Sequence, residues 1–385
     1  MLSKEKTLAM LPGVTSNGLR GGVLYHDGQF DDSRYAISLM RTFESLGGVA
    51  INYVEATGLI ESNGKITGIH ARDIESSTLF DLRSRVTINA TGAFTESILR
   101  MDNDKETLLS VSQGSHFVLP KDFLPGDHAM MIPKTSDGRV LFAIPWHGSL
   151  VVGTTDEAVE KATVEPHAME KERSFLMDHI EKYLGRRPGH EEVQSVWSGL
   201  RPLVRKGSGA TSKLSRDHTI VVSPTGLVTV TGGKWTTYRR MGEDTINRAA
   251  QVAGLPKEPS RTRALHLHGW TRDVAEAESD RVYGSDLPAI VKLSDMDPSL
   301  NTLLHPRLPY RMREVVWAAR YEMARTVEDV LARRTRALFL DARAAIEAAP
   351  AVANMLAREL GRSEGWKARD LEAFTAVARG YVYEG

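Results

Sequence analysis

Between residues 31 and 46 apolar side chains recur at helical spacing, with Tyr35, Ile37, Leu39, Met40 and Phe43 behind the acidic pair Asp31-Asp32. That pattern predicts an amphipathic helix opened by an acidic first turn. Two β-type runs follow, Val49 to Val54 and the alternating stretch Lys65 to Arg72, with the turn signal Ser62-Asn63-Gly64 between them. Arg85-Val-Thr-Ile-Asn-Ala90 predicts a short buried strand that ends in Thr91-Gly92.

From about Leu108 to Val222 the pattern is β-rich, with Ser115-His-Phe-Val-Leu119, Val140-Leu-Phe-Ala-Ile-Pro145, Ser149-Leu-Val-Val-Gly153 and Thr219-Ile-Val-Val222 separated by Pro, Gly and Asp clusters. A single helix, roughly Pro166 to Leu184, interrupts it. Gly226-Leu-Val-Thr-Val-Thr231 then predicts a strand that passes through Gly232-Gly233 into an amphipathic helix ending near Ala253, and Pro256 to Arg263 reads as a linker.

The remainder is helical. Val316, Ala319, Met323, Val327, Val330 and Leu331 mark one apolar face between about Arg311 and Leu340, and Thr326 with Asp329 predicts a capping box inside it. Nine Arg stand against five acids between His305 and Arg343. We read them as a solvated helix face laced with Glu–Arg pairs rather than a seat for an acidic partner.

Composition narrows the chemistry. The 385 residues are 41% hydrophobic, enough for a sizeable core and more than one domain. Lys+Arg and Asp+Glu both total 49, so no net field draws nucleic acid. Cysteine is absent, which removes disulfides, thiolate metal sites and dithiol redox chemistry, so redox work would need a bound cofactor. Met-Leu-Ser-Lys-Glu-Lys lacks the apolar core of a signal peptide and no 18-residue apolar run occurs. A cytoplasmic protein, or one resting on a membrane surface, is expected.

The most informative stretch is Leu227-Val-Thr-Val-Thr-Gly-Gly-Lys-Trp-Thr-Thr-Tyr-Arg239. A strand delivers Gly232 and Gly233, which allow close backbone approach, to a helix N-terminus whose N–H groups favour negative charge, and Lys234 adds a full positive charge. Such a turn suits the pyrimidine edge of a flavin, and it equally suits a plain strand-to-helix connection with an exposed Lys. It is not a nucleotide P-loop, because Val228 stands where the first Gly belongs and Trp235 where Ser or Thr belongs.

Arg201, followed by Pro202, and Arg216, entering a strand, could clamp an anionic substrate bidentately; surface salt bridges are the plainer reading. His116 is a candidate general base, though a lone strand histidine is more often structural. His147 and the Gly153-Thr-Thr-Asp156 turn read as structural. His190-Glu191 does not extend to a metal-binding pair and no metal is expected. Gly207-Ser-Gly209-Ala-Thr-Ser212, the near-match to Gly-x-Gly-x-x-Gly, ends in Ser and lies outside a strand-to-helix turn, so it reads as a loop.

Gly28-Gln-Phe-Asp-Asp-Ser-Arg34, Asn89-Ala-Thr-Gly92, Leu141-Phe-Ala-Ile-Pro-Trp-His147, Ser198-Gly-Leu-Arg-Pro202, Gly232-Gly-Lys-Trp-Thr-Thr-Tyr-Arg239 and Met323 to Arg336 occur in the order found in one family. Across essentially its whole length the chain resembles the flavin-dependent glycerol-3-phosphate dehydrogenases and the closely similar α-glycerophosphate oxidases. The resemblance implies an α/β plus α architecture: a discontinuous FAD-binding domain of the glutathione-reductase/D-amino-acid-oxidase type (1–107 and 225–258), a β-rich substrate domain (108–224) and a helical domain (264–385).

It further implies oxidation of sn-glycerol 3-phosphate to dihydroxyacetone phosphate by hydride transfer to FAD. Arg201 and Arg216 would hold the phosphate, Lys234 would face flavin and substrate, and His116 would take the hydroxyl proton. Thr91, Gly92, Gly232, Gly233, Thr236 and Thr237 would contact the cofactor, with Val54 near the adenine. Electrons would pass to a membrane quinone, from a peripheral protein on the inner face of the cytoplasmic membrane, with a homodimer as one option; in the oxidases they pass to oxygen. The family's first βαβ unit, with its Gly-x-Gly-x-x-Gly, is expected to precede Met1, so that the chain by itself should bind FAD weakly or serve as a non-catalytic fragment. An amine-oxidising flavoenzyme is a third reading.

Overall fold

The computed structural model describes residues 1–103, 107–135, 138–205 and 218–384. At the start, β1 (Leu2–Ser3) pairs with β2 (Gly21–Gly22) around helix α1 (Lys4–Met10). Helix α2 (Asp32–Ser45) forms where the spacing predicts it, and Asp31 Oδ1 caps it by accepting the Arg34 N–H at 2.9 Å. Its cover is mixed, with Tyr35, Ile37, Leu39 and Met40 half-buried. Arg34 and Thr42 are buried, whereas Phe43 and the following Leu46 are 51% and 67% exposed.

Strands β3 (Val54–Ser62), β4 (Lys65–Asp73) and β5 (Leu79–Arg83) form an antiparallel meander. Asn63 and Gly64 take positive φ, 52° and 70°, as a tight hairpin turn requires. The strand expected over Val49 to Val54 begins only at its last residue. Val49 and Ile51 are exposed and Tyr53 sits at φ 56°, so that stretch joins no ladder; apolar residues supply β-propensity but not a partner. The run 85–90 likewise shrinks to β6 (Ile88–Asn89), which leads through the turn Gly92–Phe94 into α3 (Thr95–Met101).

The β-rich region supplies β7 (Leu109–Pro120), β8 (Met130–Ile132), β9 (Leu141–Trp146), β10 (Ser149–Gly153), β11 (Glu157–Val159), helix α4 (Glu170–Leu184) and β12 (Ser195–Val204). These six strands make one antiparallel sheet around β7, with β12 on one side, β10 and β11 on the other, and β9 and β8 beyond β10. Helix α4 covers one face, packing Leu176, Met177 and Ile180 against Phe117, Leu119, Leu150 and Val152.

Strand β14 (Val228–Gly232) has β13 (His218–Val222) antiparallel on one side and β6 parallel on the other, so this small sheet is built from distant stretches of chain. From β14 the chain passes through the turn Trp235–Thr237 into α5 (Tyr238–Val252). Residues 254–277 carry no helix or strand. The rest is helical: α6 (Glu278–Arg281), α7 (Leu287–Met296), α8 (Met312–Tyr321), α9 (Ala337–Leu340), α10 (Ala342–Leu360) and α11 (Glu364–Arg379).

The reciprocal cap is present: Thr326 Oγ1 accepts from the Asp329 N–H at 3.1 Å and Asp329 Oδ2 from the Thr326 N–H at 3.3 Å. Of the arginines of this region, Arg320, Arg325 and Arg333 pair with Glu359, Glu75 and Glu328 as on a solvated face, whereas Arg313 and Arg334 are buried, the latter on Asp329 and the Glu322 carbonyl. Two further ion pairs tie the helical part to α2. Arg336 reaches Asp32 at 2.7 Å, and Arg34 forks onto Glu322 at 2.6 and 2.7 Å with both side chains buried. Among the described residues no helix is long and apolar enough to cross a membrane, and no group of His, Cys, Asp and Glu is placed to hold a metal ion.

Candidate functional site

The register of β7 and β12 sets Trp197 opposite His116, Gly199 opposite Gly114 and Arg201 opposite Ser112, and β10 adds Gly153 opposite His116. Side chains two apart share a face, so these residues line the side of the sheet away from α4. Gly199 leaves a trough open there, since a Cβ at that position would meet nothing within 4 Å, whereas side chains lie over Gly114 and Gly153. Arg201 bounds it. A Cβ at Gly114 would lie 2.2 Å from Arg201 Nη2 and 2.5 Å from Thr154 Oγ1, so the guanidinium can lie over the strand only because residue 114 is Gly. Arg201 donates to Thr154 Oγ1 at 2.9 Å and stands 3.5 Å from Asp156 Oδ1, with its side chain 35% exposed. The Gly153–Asp156 turn, read as merely structural from sequence, is therefore part of the Arg201 setting.

His116 stacks on Trp197, ring centroids 4.1 Å apart and 17° from parallel, while a Cβ at Gly153 would fall 2.2 Å from its Cδ2. Burial, with the positive Arg201 beside it, pushes His116 down to about 3. The imidazole is therefore neutral at pH 7, and its buried Nδ1 has no hydrogen-bond partner.

Strand β12 also packs against β14 and against the turn Gly92–Phe94, which brings the Arg201 strand to the two glycine-bearing turns. Gly92, Gly232 and Gly233 take φ of 57°, 74° and 81°, conformations that glycine adopts without strain. Asn89 is buried and braces this corner: its Oδ1 accepts from Thr91 Oγ1 at 2.7 Å and its amide donates to the Thr95 carbonyl at 3.1 Å. Lys234, Thr236 and Thr237 are exposed at the start of the helical turn, and Trp235 packs edge-on against Phe30, Tyr35 and Tyr238.

Val54 stands elsewhere, at the start of the meander, where with Asn52, Tyr53, Asp73 and Arg325 it lines a separate cavity of about 250 Å³. Arg216 and the loop Gly207–Ser212 lie outside the described residues. The His147 side chain is 5% exposed, with the residue at φ 47° and its Nε2 3.5 Å from Asp31 Oδ2, and so braces the β9–β10 hairpin against the cap of α2 rather than joining the trough.

The model of the FAD dependent oxidoreductase family matches residues 1–239, and that of the C-terminal domain of alpha-glycerophosphate oxidase matches residues 223–367. Mitochondrial glycerol-3-phosphate dehydrogenase of Schizosaccharomyces pombe is 31% identical over 99% of this chain and 68% of its own length. The chain belongs to the FAD-dependent glycerol-3-phosphate dehydrogenase family. The rat and human mitochondrial glycerol-3-phosphate dehydrogenases are each 34% identical, over 97% and 100% of this chain, which spans about half of their length, 55% and 56%. The structure of glycerol-3-phosphate dehydrogenase from Bacillus halodurans complexed with FAD superposes with a TM-score of 0.85 at 26% identity, covering 99% of this chain and 79% of that one. The fold is thus that of the FAD-dependent oxidoreductases with a C-terminal helical domain.

The residues present fit one end of that cofactor. Gly92 is open, with nothing within 4 Å of a built Cβ, and Lys234 and Thr236 are exposed at the helix start that follows β14, whereas Thr237 Oγ1 donates to the Lys234 carbonyl at 2.9 Å. The 385 residues contain no Gly-x-Gly-x-x-Gly, so the fit covers the ring and not the pyrophosphate. Sequence reasoning missed Gly114, although a lone glycine inside a strand is the usual signal of close approach.

Proposed function

We propose that this chain forms the substrate side of an enzyme oxidising sn-glycerol 3-phosphate to dihydroxyacetone phosphate, with the 2-hydroxyl proton leaving to a base on the protein. FAD, when bound, supplies the two-electron acceptor for the hydride from C2. Residues 1–107 and 225–258 are assigned to the discontinuous flavin domain, 108–224 to the substrate domain and 264–385 to the helical domain. The observation that carries the reading is the Arg201 guanidinium laid over Gly114 at the edge of an open glycine-lined trough.

Arg201, with Arg216, binds the phosphate end and fixes which carbon lies over the trough, because a planar guanidinium holds two phosphate oxygens at once. Lys234, Thr236, Thr237, Gly232 and Gly233 orient the flavin ring, Thr91 and Gly92 contact the nucleotide, and Val54 lies toward the adenine. His116 accepts the hydroxyl proton. Once the substrate phosphate engages Arg201, the charge that helps hold His116 unprotonated is offset, so the imidazole takes a proton more readily with substrate bound than without. Quinone serves as the final acceptor. Since quinones reside in lipid, the protein would work at a membrane surface, on the cytoplasmic side.

The test is the visible spectrum of the chain incubated with FAD, before and after anaerobic sn-glycerol 3-phosphate. In excess FAD, a weakly held flavin whose band bleaches, and recovers with a quinone analogue faster than with oxygen, is the expected result, since the pyrophosphate has no glycine-rich turn to hold it. Bleaching by glycine or sarcosine instead would overturn the substrate. No bleaching even in excess FAD would favour a non-catalytic role for this polypeptide alone.

A further inference from the structure

The segment Thr154–Asp156 meets Arg201 from the trough side of the sheet, and what fixes that segment lies behind it. Glu172, in the first turn of α4, is 1% exposed. Its carboxylate accepts hydrogen bonds from Thr155 Oγ1, from Gln113 Nε2 at 2.7 Å and from the Met169 N–H at 2.9 Å. Thr155 Oγ1 in turn accepts from the Ser115 N–H of β7 at 2.8 Å. One carboxylate therefore grips β7 through Gln113 and, through Thr155, the turn that carries Thr154 and Asp156.

Those are the two surfaces between which the guanidinium lies, with Gly114 beneath it and Thr154 and Asp156 beside it. No Lys, Arg or His pairs with Glu172 among the described residues. A carboxyl group buried against neutral donors is a costly way to fill space, since an apolar side chain of similar volume would pack there without the desolvation penalty. Its three acceptor contacts serve to fix position.

We infer that Glu172 is a positioning residue for the phosphate site: it locks the Thr154–Asp156 turn, and through that turn the Arg201 guanidinium, in the orientation that receives the substrate. The inference rests on the reading of Arg201 as the phosphate ligand. Glu172 touches neither substrate nor cofactor, and its effect runs through Thr155 alone to the turn and through Gln113 to the strand.

The test is the rate at which phenylglyoxal modifies Arg201, read by peptide mass spectrometry in the 385-residue chain, with Arg187, just beyond the end of α4, as internal reference. In Glu172→Gln, which loses an acceptor and gains a donor facing Gln113, modification of Arg201 should quicken about fivefold, the population change that one lost hydrogen bond of ordinary strength brings, while Arg187 is unchanged. Thr155→Val, which cuts the same relay from its other end, should act alike. An unchanged Arg201 rate in both variants, or equal acceleration at Arg187, would overturn the inference, the latter because Glu172 would then merely hold α4 in place. Protection of Arg201 by sn-glycerol 3-phosphate in the unaltered chain tests the phosphate reading separately. Absence of protection overturns that reading and the inference with it, whereas protection without acceleration overturns the inference alone.

Discussion

Arg201 lies across Gly114, on the neighbouring strand, so closely that a methyl group on residue 114 would come within 2.2 Å of the guanidinium. The backbone at Gly114 is within reach of other residues, so the constraint is space. Gly114→Ala should therefore leave the strand pairing intact and turn Arg201 out of the trough. Affinity for sn-glycerol 3-phosphate, followed by calorimetry, is expected to fall roughly 10- to 100-fold, the worth of a charge-assisted contact. Unaltered affinity would show that the phosphate is bound elsewhere.

His116 should not titrate in the ordinary histidine range. Its folded value of about 3 lies below the usual 6.5, so the unfolded chain binds the proton more readily and the group's contribution to stability is lost as pH falls from 6.5 toward 3. With carbon-13-labelled histidine, the His116 signal, assigned through His116→Asn, is expected to stay at its neutral position from pH 5 to 8. A midpoint near 6.5 would contradict the burial described here.

Glu314 behaves in the opposite sense. Burial raises it to about 7 from 4.5; its carboxylate also accepts from the Arg311 N–H and, at 3.3 Å, from Tyr283 Oη. A carboxyl group that holds its proton more tightly when folded contributes stability below 4.5 that is lost as pH rises through 7. Unfolding free energies from urea titrations at pH 5 and pH 8 should differ by up to about 3 kcal/mol more in the native chain than in Glu314→Gln. Parallel pH profiles would rule out this assignment.

Glu322→Gln should be among the most damaging surface-distant changes. It leaves the buried Arg34 facing an uncharged partner, and breaking such a pair from one side typically costs about 3–5 kcal/mol. Thermal unfolding would register the loss, and the double variant Arg34→Met, Glu322→Leu should recover much of it. Equal stability of the double and single variants would mean that the pair adds nothing beyond packing.

Local signals in the sequence located what local physics builds. The acidic pair at Asp31-Asp32 marked the start of α2, Ser62-Asn63-Gly64 marked the hairpin, and Thr326 with Asp329 marked a cap, because each needs only residues a few positions apart. Val49 to Tyr53 misled for the same reason: strand character is local, but a ladder needs a partner the pattern cannot name. The site divides likewise. Arg201 and the Gly232-Gly233-Lys234 turn stood out by residue type, whereas Thr154 and Glu172 matter through contacts with residues 47 and 59 positions away, which no periodicity records.

The stretch 254–277, without helix or strand, is the covalent route from α5 to the helical part, and ion pairs outside it, Arg34 on Glu322 and Arg336 on Asp32, join the same parts of the molecule. Those contacts join the N-terminal fifth of the chain to its last third without using the connecting backbone. A protease that nicks the connector would accordingly cut the polypeptide without parting it, and the two pieces should migrate together until denaturant unfolds them.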